Sequence, residues 1–479
     1  MHRRKVDDIQ LDFLVSALHQ GCFISTDKVL EWMKQQNDEV VSNITQIPIE
    51  NLSMWQFTND RLTHSSGKFF SIDGIRISTN YRNVSEWDQP IINQPEIGIL
   101  GFIVKKFNGV FHFLMQAKIE PGNINLVQLS PTLQATRSNY TCVHKGKKPL
   151  YLEYFTGEKN VYVLVDQLQS EQGARFLHKR NRNIIVEVPE NEDLEVYNNF
   201  IWVSLGQIKE LLRYPNIVNM DARTVISCIK YGDYSEATLR LLSVVKNSVG
   251  NKTVKSDSFL YSVLSNDNHL NDLQSIIHWI TNLKFKYELN VDKIGVSEIR
   301  NWIYDGNVIR HENDKYFKVI GVNVEIGNRE VVSWCQPMIQ PAQEGIMGFI
   351  VKKINGIYHF LVQAKLEAGN FDVVELAPTV QCLTGNYRKG YNEYEIPYLE
   401  LFLNAKEEDI WYSSYQSEEG GRFYKEQNLN IIVEVGEDFP IEVDGNYCWM
   451  TLNQILSFVT YNNYLNIAAR SLLSAISFY

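Results

Sequence analysis

Two segments of the 479-residue chain concentrate side chains that can move protons. They run from Gln116 to Tyr140 (QAKIEPGNINLVQLSPTLQATRSNY) and from Gln363 to Tyr387 (QAKLEAGNFDVVELAPTVQCLTGNY). Each carries a lysine and a carboxylate two residues apart, Lys118 with Glu120 and Lys365 with Glu367, and ends on a tyrosine, Tyr140 or Tyr387. The carboxylate can act as a general base, the phenol can donate a hydrogen bond to a ketone or protonate a leaving hydroxyl, and the lysine can meet a phosphate or an enolate. Gln116, Asn123, Gln134, Arg137 and Asn139, with Gln363, Asn370, Gln381 and Asn386, supply donors and acceptors for binding a polar substrate. Further along, Glu171 and Glu418 add carboxylates. Arg175, Arg422, Arg223 and Arg470 offer the planar fork that suits a diphosphate. His144, beside Lys145, Lys147 and Lys148, belongs to the first segment only. Each residue also has a plain alternative: a solvated carboxylate, a core tyrosine, a structural ion pair, or a tight turn at Pro121-Gly122-Asn123.

The elements that must position these groups come in two copies. A shift of 247 residues lays GFIVKKFNGVFHFLMQAKIEPGN, from Gly101, on GFIVKKINGIYHFLVQAKLEAGN, from Gly348. The register continues from Trp87 on Trp334 to Arg223 on Arg470. A repeat of this length dictates the architecture. The reading is an α+β chain: a helical N-terminal segment (1–64), a first mixed-sheet repeat (65–232), a helical connector (233–311) and a second repeat (312–479). Upstream, helices around Trp32 and Trp302 pair at an offset of 270, which implies a 23-residue length change between helix and core. Asn108-Gly109 and Asn355-Gly356 mark type I′ hairpin turns. Period two then puts His112, Leu114, Gln116 and Lys118 on one strand face, polar enough to line a site. Ser204 and Thr451 are positioned to cap helices.

A formal charge of −10 argues against a nucleic-acid partner. The six cysteines stand singly, without zinc spacing, and read as reduced thiols. No apolar run of membrane-spanning length and no signal-peptide core occurs, so the expected location is the cytoplasm, with no membrane partner. Neither a P-loop nor a G-x-G-x-x-G fingerprint occurs, so the expectation is no cofactor and no metal.

The segments QAK[IL]E-x-GN, [SA]PT[LV]Q, NY, YLE-[YL]-F, QSE-x-G-[AG]-RF and NIIVEV together resemble the NDP-hexose 2,3-dehydratases of deoxysugar biosynthesis, over nearly the whole chain. The resemblance implies a homodimer whose subunit holds two Nudix-like domains that have lost the G-x5-E-x7-R-E-x-x-E-E metal box. The implied reaction removes water across C2 and C3 of a nucleotide-linked 4-keto-6-deoxyhexose, with dTDP-4-keto-6-deoxy-D-glucose as substrate. The unstable 3,4-diketo product implies coupling to a 3-ketoreductase. A non-catalytic nucleotide-sugar binding protein and a Nudix-type pyrophosphatase are the alternatives. The basic residues near Arg137 and His144, against Glu393 and Glu395 in the second copy, favour the first copy as the catalytic one. Because a C4 ketone is the only electron sink such an elimination needs, turnover is expected to persist in EDTA and without added nicotinamide. Loss of activity on chelation, restored by Mg²⁺ or Mn²⁺, would contradict this.

Overall fold

The structure, a computed structural model, describes residues 6–19, 23–81, 84–137, 148–232, 254–265, 267–327, 333–383 and 396–478. Helices α1 (Val6–Ala17) and α2 (Thr26–Asp38) lead into a small antiparallel sheet. After β1 (Ser42–Ile47), which joins the other copy, its strands are β2 (Trp55–Thr58), β3 (Arg61–His64), β4 (Ser71–Thr79) and β5 (Glu86–Asn93). The large sheet follows, with β6 (Gly98–Phe107), β7 (Val110–Ile119), β8 (Val127–Ser130), β9 (Leu133–Ala135), β10 (Tyr162–Ser170), β11 (Arg180–Glu187) and β12 (Phe200–Ser204). Helices α3 (Leu205–Leu211) and α4 (Met220–Ile226) close the copy. The large sheet is mixed: β11 runs parallel to β6, while β6 and β7 form the expected hairpin. At its turn Asn108 and Gly109 both have positive φ, 51° and 79°, as a type I′ turn requires. Ser204 and Thr451 both cap helices through full capping boxes.

The second copy repeats this order. Helices α5 (Val254–Leu264) and α6 (Leu273–Lys286) precede β13 (Leu289–Ile294), β14 (Trp302–Tyr304), β15 (Val308–His311), β16 (Phe317–Ile326) and β17 (Ser333–Pro341). The large sheet holds β18 (Gly345–Ile354), β19 (Ile357–Lys365), β20 (Glu375–Ala377), β21 (Val380–Leu383), β22 (Ile410–Ser417), β23 (Gln427–Glu434) and β24 (Tyr447–Thr451), and α7 (Leu452–Phe458) and α8 (Ile467–Ser474) follow. Trp302 lies on a strand after a short 3-10 turn, not on a helix. Its counterpart is Trp55, and Trp32 on α2 matches Trp279 on α6, both at 247. The expected 23-residue length change therefore does not exist; the shared tryptophan was matched to the wrong partner. Residues 42–64 and 289–311 are largely strand rather than helix. The helical pattern at 234–249 lies outside the described residues.

The two copies exchange their first strands. β1 pairs antiparallel with β16 of the second copy, and β13 pairs with β4 of the first. The cores merge as well: one buried cluster joins Phe102, Phe111 and Phe113 to Phe349, Phe360 and Val322, and another joins Trp55, Phe70 and Phe176 to Trp302, Phe317 and Phe423. Each large sheet keeps a private core on its other face, where Phe155 lies on Gly101 and Phe402 on Gly348 so closely that a Cβ would stand 2.3 and 2.4 Å from the ring. A half-chain would leave a β4 or β16 edge and a large apolar face in water. Fragments 1–232 and 254–479 are thus expected to be insoluble or unfolded alone and to co-purify in equal amounts when co-expressed. A cooperatively folding monomeric fragment, seen by circular dichroism and sedimentation, would refute the exchange.

Candidate active site

Each polar segment folds back along the hairpin strand that begins it. In the first copy the Gln134 amide donates to Glu120 Oε1 at 2.8 Å, and Lys118 Nζ lies 3.8 Å from that oxygen and donates to the Gln134 carbonyl at 3.3 Å. Asn219 caps α4 by accepting from the Ala222 amide at 2.8 Å, and its own amide donates to Gln134 Oε1 at 3.1 Å. The second copy repeats the chain: Gln381 to Glu367 at 2.9 Å, Lys365 to the Gln381 carbonyl at 3.1 Å, and Asn466 to Gln381 at 2.7 Å. Glu120 and Glu367 are both buried, and Glu120 Oε2 has no hydrogen-bond partner.

The wall facing each chain comes from the other copy. Gly122 donates to the Gly420 carbonyl at 2.7 Å, and Gly369 donates to that of Gly173 at 2.7 Å. Contact is too close for side chains: a Cβ on Gly420 would meet Asn123 Oδ1 at 2.1 Å, and one on Gly173 would meet Asn370 Oδ1 at the same distance. The Trp87-x-Gln89 and Trp334-x-Gln336 motifs hold these loops, since Gln89 donates to the Ala174 carbonyl at 2.9 Å and Gln336 to that of Gly421 at 2.6 Å. The loop arginines then reach across. Arg422 lies 4.2 Å over the Phe70 ring and donates to Gln94, while Arg175 lies 4.1 Å over Phe317. Arg422 therefore accompanies Glu120, and Arg175 accompanies Glu367.

Other expected residues are placed differently. Arg223 and Arg470 are fully buried, and their donors go to protein acceptors. Arg223 reaches Ser471 at 2.9 Å and Gln416 at 3.3 Å, with the Ser417 carbonyl; Arg470 reaches Thr224 at 2.9 Å and Gln169 at 3.4 Å, with the Ser170 carbonyl. They fasten the copies together, buried away from any diphosphate. Gln363 is bound to the Tyr447 hydroxyl at 3.0 Å, and Gln116 is half-buried opposite Phe200. Only the Lys118 end of the expected polar face reaches the site, because Leu114 enters the private core and His112 packs on Phe107 and Phe23. Asn123 and Asn370 are buried turn residues, and Arg137 is exposed at the end of β9. Asn139, Tyr140, His144, Asn386 and Tyr387 lie outside the described residues.

Burial dominates the electrostatics. It pushes Glu171 and Glu367 upward, the latter against the pull of Lys365 and Arg175. It raises Glu418 and Glu419 to about 7 and Glu426 to about 8, and lowers Lys179 to about 8. Asp221, Lys179, Glu419 and the Asn219 and Asn466 caps were not singled out in the sequence. The 247-residue register carries the signal for all of them. Asn219 matches Asn466, whereas Asp221, Lys179 and Glu419 of the first site correspond to Ala468, Glu426 and Gln172 of the second.

A profile described as NDP-hexose 2,3-dehydratase matches residues 26–229 and 273–476. The chain is similar to three proteins named dTDP-4-dehydro-6-deoxy-alpha-D-glucopyranose 2,3-dehydratase. That of Saccharopolyspora spinosa is 43% identical over 472 residues, covering 97% of this chain and 94% of the relative. That of Amycolatopsis orientalis is 38% identical over 474 residues, covering 97% and 93%. That of Streptomyces violaceoruber is 40% identical over 451 residues, covering 93% and 95%.

The raised carboxyl of Glu426 yields a prediction. Its folded form binds a proton more tightly than the unfolded chain does, so its contribution to stability is present at low pH and is lost as pH rises through about 8. Glu426→Gln cannot ionise. Its stability relative to the wild type is expected to grow steadily between about pH 5 and about pH 8. A pH-independent difference in urea midpoint over that range would contradict the assignment.

Proposed function

Because the chain belongs to the NDP-hexose 2,3-dehydratase family, we propose that it eliminates water across C2 and C3 of dTDP-4-keto-6-deoxy-D-glucose, giving the 2,6-dideoxy-3,4-diketo sugar nucleotide. The observation that carries this reading is full-length similarity to three proteins of that name, covering both copies. The geometry of the first site supports it. A C4 ketone acidifies the C3 proton, so the reaction needs a base at C3, positive or hydrogen-bonding charge at the C4 oxygen, and an acid for the departing hydroxyl.

Glu120 is the base in this reading. Its free Oε2 points away from the Gln134 donor and is buried, so water does not compete for it. Lys118, 3.8 Å from the other oxygen, and the Tyr140 hydroxyl stabilise the developing C4 oxyanion. Arg422 and the exposed Arg137 serve the sugar nucleotide. The second pocket keeps Lys365, Glu367 and Gln381 but has the carboxyl of Glu426 where the first has Lys179, and so offers a diphosphate one cation fewer. We assign turnover to the first pocket and nucleotide-sugar binding without turnover to the second. The enzyme acts as a cytoplasmic homodimer and hands its unstable diketone to a 3-ketoreductase.

A coupled assay with a trapping ketoreductase tests the reading. Glu120→Gln is expected to lower kcat by about 100-fold or more, the range for loss of a positioned base, while Glu367→Gln changes it less than about threefold. A larger loss in the second variant, with both proteins folded, would pass catalysis to the second pocket. Binding of the keto sugar without product would leave a binding protein.

A further inference from the structure

Asp221 lies in the first turn of α4, two residues past the Asn219 cap, and is 3% exposed. Among the described residues its carboxyl has no hydrogen-bond or ion-pair partner. The Asn219 side chain that starts its helix also holds Gln134 and, through it, Glu120. The second copy builds the same chain from Asn466, Gln381 and Glu367, yet carries Ala468 at the matching position.

Stability does not account for Asp221. Leaving a buried polar group without a partner costs about 1–3 kcal/mol, and an ionised one costs several. Ala468 shows that the same helical turn forms without a carboxyl. Burial pushes Asp221 well above the ordinary carboxylate range, with Glu419, Glu171 and Glu120 adding and Lys118 opposing. Its environment thus favours the protonated form, and among the described residues no protein acceptor is there to take the proton.

We propose that Asp221 is the acid that protonates the departing C2 hydroxyl. This rests on the elimination assigned above. When Glu120 takes the C3 proton, the C–H electron pair becomes the C3=C4 bond of an enolate and the C4 oxygen gains the negative charge. As the ketone re-forms, that pair moves to C2=C3, the C2–O bond breaks, and the leaving oxygen takes the Asp221 proton, so that water departs. The immediate product is a 2,3-enol, facing a protonated Glu120 and an ionised Asp221. Transfer of the Glu120 proton to C2, and of the enol proton to Asp221, yields the 3,4-diketone and resets both groups. No oxidant or reductant enters.

The test compares two leaving groups. Wild-type enzyme must first dehydrate the hydroxy sugar nucleotide; if it does not, the elimination itself is wrong, whatever Asp221 does. With that shown, Asp221→Asn is expected to lower kcat on the hydroxy substrate by about 100-fold or more, with KM within about threefold. The 2-deoxy-2-fluoro analogue loses fluoride, which needs no proton, so its release by the variant is expected within about threefold of wild type. An unchanged kcat on the hydroxy substrate would overturn the assignment. So would an equal loss on both leaving groups in a variant that melts with the wild type, because a merely structural role would slow both. Should Asp221→Asn fail to fold, Asp221→Ala, which copies Ala468, carries the same comparison.

Discussion

Arg223 and Arg470 set the constraint on which the molecule depends. Each guanidinium is buried in one copy and donates into the loop that begins with Gln416 or Gln169 of the other. A planar group with five donors can satisfy several carbonyl and hydroxyl acceptors at once, where a lysine could not. Burial pulls Arg223 down to about 10, so it stays charged and its acceptors must stay in place. Those acceptors lie at the roots of the QSE loops, and the loops present Glu419, Arg422 and Arg175 to the opposite hairpins. Strand exchange then makes the arrangement obligatory, since neither small sheet is complete without the other copy.

Two-fold sharing of this kind lets a duplicated pocket diverge without losing its frame. The frame consists of the Asn-Gln-Glu chain, the glycine contacts and the stacked arginines, and both sites keep all of it. The differences fall on side chains outside that frame. Ala468, Gln172 and Glu426 replace Asp221, Glu419 and Lys179, and each change alters charge.

Much of this was legible in the sequence. The hairpin at Asn108-Gly109, the helix caps at Ser204 and Thr451, and the Lys118-Glu120-Gln134 cluster follow from turn chemistry, capping and the polar content of one segment. What escaped notice depends on contacts between copies. Nothing in the local pattern says that β1 belongs to the second copy's sheet, because strand exchange preserves every residue's own environment. Matching Trp302 to Trp32 failed for a related reason: a tryptophan is a large apolar anchor on either a helix or a strand, and only an unbroken register distinguishes them. Arg223 and Arg470 looked like diphosphate forks because the same five donors that suit a diphosphate also suit a buried set of carbonyls; burial separates the two roles, and burial is a tertiary property.

The charge count at the first site carries the argument one step further. Glu120, Glu171, Asp221 and Glu419 face Lys118, Lys179 and Arg422, so full ionisation would leave an excess negative charge in a poorly solvated space, before an anionic substrate arrives. Burial shifts Glu419 and Asp221 toward their protonated forms, which lessens that excess. Such a site costs stability, the usual sign of groups retained for chemistry rather than for folding. The second site has shed two of these acids, at Gln172 and Ala468, and has exchanged Lys179 for Glu426, losing a cation as well. It keeps the hydrogen-bond chain and the stacked arginine, with Lys365 and Arg175 as its cations. The two sites therefore differ in charge even where their hydrogen-bond chains match.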